Sequence, residues 1–147
     1  MVVIRTPASG DLERILKVEE ESFPPGQRYR PGVIFYLLSL EGSVALVAEE
    51  SGEVLGYAVG LIEWGHVGHV ISIAVRPAFR RRGIGTALMR ALEERLRGMG
   101  ADRLRLEVRA SNHEARRLYE RLGYKVVRAL PDYYGDEDGL LMEKPVR

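Results

Sequence analysis

HVISIAV, residues 69–75, is almost continuously apolar, and it leads through RPAFRRRGIGTAL into a strong helical pattern. A run of that kind suits a strand buried on both faces, so the sheet that contains it needs covering elements on each side. The next segment supplies one cover. Ile84, Ala87, Leu88, Ala91, Leu92, Leu96 and Met99 follow helical spacing as one stripe, and Gly98 and Gly100 mark its stop.

The remaining segments fall around that pair. VVIR (2–5) reads as a short strand, and from Asp11 the residues Leu12, Ile15, Leu16 and Phe23 recur at helical spacing until Pro24-Pro25-Gly26. A second short helix is predicted over Val33–Leu40. SVALVAEE and EVLGYAVGLIEW are β-rich and joined at Ser51-Gly52, a hairpin signal. In DRLRLEVR (102–109), Leu104, Leu106 and Val108 alternate with Arg105, Glu107 and Arg109. Ser111-x-x-Glu114 reads as a capping box for a helix with Ala115, Leu118, Tyr119 and Leu122 as its stripe and Gly123 as its end. YKVVRAL and GLLMEKPV read as two closing strands. The order β-α-α-β-β-β-α-β-α-β-β predicts an α/β fold in a single domain over 1–147, with one mixed sheet and helices on its faces.

Composition narrows the chemistry. Cysteine is absent, which excludes thiolate nucleophiles, disulfides, thiolate zinc sites and iron–sulfur clusters. No apolar run approaches the ~20 residues of a membrane span, and the N-terminus lacks a signal peptide's apolar core, so a cytoplasmic protein is expected. The net charge of +1, with basic and acidic residues mixed along the chain, argues against a nucleic-acid partner. Nineteen of the 22 basic residues are arginine, and Asn112 and Gln27 are the sole residues of their types. That bias is compatible with a thermophilic source but does not decide it.

RRRGIGTAL (80–88) can be read as a basic patch for nucleic acid, which the charge balance disfavours, as part of a nucleotide-binding loop, or as a cradle for another anion. A dinucleotide fingerprint needs a third glycine where Leu88 stands, and a P-loop needs a Gly-Lys pair that is missing. What remains is an anion site, in which the free N–H groups of a helix N-terminus are made accessible by two glycines and assisted by arginine. A solvated arginine run before an ordinary helix fits the spacing equally well.

Arg80-x-x-Gly83-x-Gly85 resembles the acyl-CoA pyrophosphate motif of the GNAT superfamily of N-acetyltransferases, and the element order resembles that fold over nearly the whole chain. LEVRASNHEARRLYERLGY (106–124) is similar to the corresponding segment of its protein N-terminal acetyltransferases, both the bacterial ribosomal-protein alanine acetyltransferases and the archaeal enzymes. GHVISIAV and DYYGDEDGLLM resemble the archaeal branch in particular. The resemblance implies a mixed, mostly antiparallel sheet with helices on both faces, and acetyl-CoA held where the fourth and fifth strands splay apart. It assigns the pantetheine arm to the backbone of Ile73, Ala74 and Val75. The pyrophosphate falls to Arg80, Arg81, Arg82, Gly83, Ile84, Gly85 and Thr86, and further cofactor contacts to Asn112 and Tyr119.

For catalysis the resemblance points to Glu107 as a general base acting through water and to Tyr119 as a general acid. Pattern alone allows plainer roles: Glu107 as a surface ion pair with Arg105 and Arg109, Tyr119 as core, Asn112 as a first-turn residue. With no cysteine, direct attack in a ternary complex replaces a cysteinyl acyl-enzyme. The acceptor site is assigned to Phe23, Pro24 and Tyr29 of FPPGQRY, to His69, and to Tyr133 and Tyr134. Relatives that prefer small N-terminal residues often carry a glutamate in that loop. Pro25-Gly26-Gln27 stands here instead, which leaves Met against Ser or Ala open. His69 and Glu107 make at most two metal ligands, so no metal is expected. The implied function is transfer of acetyl from acetyl-CoA to protein or peptide N-termini, with nascent chains or ribosomal proteins among the candidate acceptors. Alternatives are a lysine or small-amine acetyltransferase on the same fold and a non-catalytic acyl-CoA-binding sensor. No nucleic-acid or membrane partner is expected, and the sequence leaves the oligomeric state open.

Overall fold

Two tight turns build the centre of the sheet. Ser51 and Gly52 take φ of 52° and 82°, as a two-residue hairpin demands, and join β2 (Ser43–Glu50) to β3 (Glu53–Glu63). Trp64 and Gly65, at φ of 52° and 76°, turn β3 back into β4 (Val67–Val75). The computed structural model describes residues 1–146. Its other elements are β1 (Val3–Arg5), α1 (Asp11–Ser22), α2 (Pro31–Ser39), α3 (Ile84–Gly98), β5 (Arg103–Arg109), α4 (His113–Arg121), β6 (Lys125–Leu130) and β7 (Gly139–Pro145). Short 3-10 turns at Pro25–Gln27 and Pro77–Phe79 were not apparent from the sequence pattern.

The seven strands form one sheet in the order β1-β2-β3-β4-β5-β7-β6. Only β4 and β5 run parallel; every other neighbouring pair is antiparallel. The order of helices and strands is the expected one. HVISIAV is indeed covered on both faces. Val70 joins a core under α3 and α4 with Leu88, Met89, Leu92, Leu96 and Tyr119, whereas Ala74 joins a second core under α1 and α2 with Ile15, Val18, Ile34 and Leu37. No helix of the described residues is long and apolar enough to cross a membrane.

Some bounds differ from the sequence expectation, and α2 runs over Pro31–Ser39 rather than Val33–Leu40 because Pro31 opens it at the first helical position. Met99 lies beyond α3 and is 43% exposed, because the helix has already closed at Gly98. Residue 112, not 111, caps α4: Asn112 Oδ1 accepts from Ala115 N–H at 3.2 Å, while Ser111 Oγ turns outward to Glu137 at 3.0 Å. Asparagine and serine are comparable N-caps, so composition could not choose between adjacent candidates. β6, at the edge of the sheet, is exposed.

The feature that shapes the site is a β-bulge. On β3 and β4 the register runs Val59↔Ser72 and then Gly60↔Val70, which leaves Ile71 as the extra residue. A bulge bends its strand and adds twist. β4 pairs with β5 only over Val67↔Arg103, Gly68↔Leu104 and His69↔Arg105, and beyond His69 the two strands part.

Gly56 fixes how closely α3 approaches the end of β4. A Cβ there would lie 2.8 Å from the Ala74 carbonyl and 3.1 Å from Leu88 Cδ1. Gly56→Ala should therefore lower stability by about 1–3 kcal/mol in urea unfolding. Gly32→Ala, in open space on α2, should leave stability unchanged or slightly higher. A Gly56→Ala protein as stable as the parent would contradict this packing.

Candidate active site

Where β4 and β5 part, backbone groups are left over. Arg76 N–H donates to Leu55 O at 2.8 Å, and antiparallel pairs alternate between bonded and non-bonded. Ala74 and Ser72, opposite Tyr57 and Val59, thus turn their amides to β3. Ile73 and Val75 turn theirs toward the side that β5 has vacated. The Val75 carbonyl is already occupied by Arg80 Nε at 2.9 Å and Ser22 Oγ at 3.3 Å.

The chain then enters α3 through two left-handed residues, Arg81 at φ 64° and the N-cap Gly83 at 78°. Ala87 is the first residue here whose N–H finds a helical acceptor, Gly83 O at 3.0 Å. The amides of residues 81–86 have no protein acceptor among the described residues. Beside them lies a cleft of about 590 Å³ lined by Ile73, Ala74 and Val75, by Arg80, Arg81, Gly83, Ile84, Gly85 and Thr86, and by Asn112 and Tyr119. Phe23 and Pro24 close one end. Arg82 is not part of the lining, since its guanidinium bonds both oxygens of Glu50, at 3.1 and 3.2 Å. Ile84 contributes backbone only, its side chain being core.

Tyr119 lies on the α4 side, 7% exposed, in edge contact with Tyr124 at 6.0 Å. Its hydroxyl has no protein partner among the described residues, and the residue lines the cleft. Burial pushes its pKa well above 10. Glu107 lies on the other face of the sheet. Leu106 and Val108 face the α3 core, so strand alternation turns Glu107 the opposite way.

Glu107 belongs to a cluster of alternating charges. Its Oε1 accepts from His69 Nε2 at 2.7 Å and its Oε2 from Arg105 at 3.0 Å, while His69 Nδ1 lies 3.1 Å from Glu63 Oε2. An imidazole placed between two carboxylates bonds both of them only when each ring nitrogen carries a proton, so the geometry favours the protonated form of His69. Burial lowers the pKa of His69, but Glu107 and Glu63 outweigh it and the net shift is upward from 6.5. Burial likewise raises Glu107, and His69 with Arg105 brings it below 4.5 overall.

The tyrosines of the acceptor reading gather on this same face. Burial raises Tyr29, Tyr133 and Tyr134, and the charge of Glu107 raises each further. Tyr133 and Tyr134 meet edge to face at 4.9 Å, and Arg109 lies 4.3 Å over the Tyr134 ring while paired with Asp136 and Glu137. Tyr29 reaches the bulge, its hydroxyl donating to Ile71 O at 3.3 Å.

Several participants were not visible in the sequence pattern. Glu63 is the partner of His69, and the hairpin register, Glu63↔Val67 beside Leu61↔His69, makes the two diagonal neighbours. Glu19 is 2% exposed and receives Tyr57 Oη at 2.6 Å and Tyr29 N–H at 2.9 Å, with Ser72 Oγ 2.8 Å beyond Tyr57. Burial raises the pKa of Glu19. An isolated buried carboxylate in a helix gives no sequence signal. Among the described residues no group of three or more His, Asp or Glu is arranged to hold a metal ion.

A model of the acetyltransferase (GNAT) family matches residues 12–124. The chain belongs to that family. Its relatives include an uncharacterized N-acetyltransferase of Methanocaldococcus jannaschii, 41% identical over 145 residues and covering 97% of this chain and 91% of that protein. An N-alpha-acetyltransferase of Sulfurisphaera tokodaii is 39% identical over an aligned length of 158, covering 97% and 92%. The crystal structure of Ard1 from Thermoplasma volcanium superposes with a TM-score of 0.91 at 30% identity, covering 99% of this chain and 98% of that one. The parted strands and the open helix N-terminus are thus features of a GNAT acetyltransferase.

The His69 cluster makes a prediction for pH. Because its pKa is raised, the stability it contributes is complete below pH 6.5 and is lost as pH rises through the folded value. In an NMR titration the His69 ring should titrate above 6.5, and Glu63→Gln should lower that midpoint. A wild-type midpoint at or below 6.5 would contradict the doubly bonded imidazolium.

Proposed function

We propose that this acetyltransferase moves the acetyl group of acetyl-CoA to the α-amino group of protein or peptide N-termini, by direct attack in a ternary complex. One observation carries the reading. The opening between β4 and β5 joins two differently equipped sides, the cleft with Tyr119 and unpaired amides and the face with Glu107, His69 and the three tyrosines. The N-alpha-acetyltransferase relatives support the same acceptor class.

The cleft fits the donor. Unpaired amides at residues 81–86 and glycines at 83 and 85 suit a pyrophosphate, because anions are favoured at a helix N-terminus. Ile73 and the Val75 N–H offer strand-like bonds to an amide-bearing arm. Asn112 spends its Oδ1 on the α4 cap and keeps its amide nitrogen for the ligand. Acetyl-CoA supplies the activated thioester; the protein's groups position it and manage protons.

Glu107, held ionised by His69 and Arg105, orients a water that passes the proton of the acceptor ammonium to its carboxylate, from which it is released to solvent. With a depressed pKa it is a weak base, which selects the acceptor. At pH 7 roughly a tenth of an α-amine near ~8 is already free, against well under a thousandth of a lysine near ~10.4. Tyr119 remains a phenol across the working range; as the free amine forms the C–N bond and the thioester C–S bond breaks, it gives its hydroxyl proton to the leaving sulfur and takes up another from solvent. Phe23, Pro24, Tyr29, Tyr133 and Tyr134 wall the first residues of the acceptor, and His69 fixes Glu107 from behind.

Peptides whose only amine is the N-terminus should be acetylated, and N-terminally blocked peptides carrying lysine should not; label found on lysine alone would overturn the acceptor assignment. Glu107→Gln should lower kcat by about 10²–10⁴-fold with CoA affinity nearly unchanged in calorimetry. Full turnover in that variant would remove Glu107 from the mechanism.

A further inference from the structure

The charged groups around the cleft are distributed unevenly. Arginines that flank it from outside are neutralised: Arg76 pairs with Glu21 at 3.0 Å and Arg82 with Glu50 at 3.1 Å. Those that line it are not. Arg80, Arg81, Arg117 and Arg121 have no carboxylate partner among the described residues; Arg80 Nε is spent on Val75 O, and the other three are exposed. Arg117 and Arg121 are one turn apart on α4, on the same helix face, where like charges repel. Glu114 is the one acidic residue of the lining, and it pairs with neither.

The α3 N-terminus accounts for one anion, the pyrophosphate, through backbone amides. It leaves no donors for a second phosphate on the far wall of the cleft, and that wall is where the α4 arginines stand. CoA carries such a second group, a 3′-phosphomonoester with a charge of about −1.5 to −2 at pH 7. We propose that Arg117 and Arg121, which share the cleft lining with Arg81, form a recognition site for the 3′-phosphate of CoA. The chain thereby distinguishes CoA from its dephosphorylated form by charge on α4, separately from the pyrophosphate cradle on α3. The inference rests on the acetyl-CoA reading above.

Isothermal titration of the purified full chain with CoA and with 3′-dephospho-CoA, at low and high salt, tests it without any turnover. At low salt CoA should bind about tenfold tighter than the dephospho form, and added salt should narrow the gap. Arg117→Ala combined with Arg121→Ala should bring the two affinities to within about twofold while leaving dephospho-CoA binding nearly unchanged. Both positions are exposed, so circular dichroism should show an unaltered fold. Equal wild-type affinities, or a gap that survives in the double variant, would overturn the 3′-phosphate site. Binding of neither ligand would instead overturn the acetyl-CoA reading on which it stands.

Discussion

The structure depends on β4 and β5 ceasing to pair after His69↔Arg105. Parallel strands inside a sheet normally satisfy one another's backbone, and a break in such a ladder leaves costly unpaired amides unless something else takes them up. Here the break has a local cause, the extra residue Ile71, and the bulge is held by the neighbouring loop through Tyr29. One inserted residue thus makes both an opening through the sheet and a row of donors and acceptors along its edge.

Everything around the opening keeps it in shape. On the α3 side, Gly56 and Gly68 let helix and strands approach where a methyl group would collide with Ala74 O or Leu104. On the α1 side, the buried Glu19 carboxylate ties the helix, the following loop and β3 together through Tyr29 and Tyr57, and Ser72 extends the chain to β4. A buried carboxylate missing its partners is strongly destabilising, so this network commits the loop that carries Tyr29 to one position. The Glu63–His69–Glu107–Arg105 cluster does the same for the face proposed to hold the general base. Its opposite charges cancel, which makes burial tolerable and holds Glu107 ionised.

Much of this was legible in the sequence, for identifiable reasons. HVISIAV announced its two covered faces because a strand with apolar residues in both registers has no solvent side. The α3 stripe and Gly83-x-Gly85 announced a helix N-terminus with accessible amides. Spacing could not show that the opening is a bulge, since Ile71 is an ordinary strand residue and no glycine marks it. It could not separate Asn112 from Ser111 as the cap, because both chemistries fit. It also gave Arg82 a place beside Arg81, whereas a φ of 64° at Arg81 sends the two side chains to different surroundings. The partners Glu63 and Glu19 depend on hairpin register and helix docking, which are tertiary facts.

The central claim is that the backbone left over by the parted strands and by the α3 N-terminus holds the acyl donor. Amide NMR of the isotopically labelled protein measures it directly. On adding CoA, the N–H resonances of Ile73, Val75 and residues 83–86 should shift and their hydrogen exchange should slow, while Ser72 and Ala74, already bonded to β3, change little. Unmoved resonances at Ile73, Val75 and the α3 N-terminus in a protein saturated with CoA would contradict it.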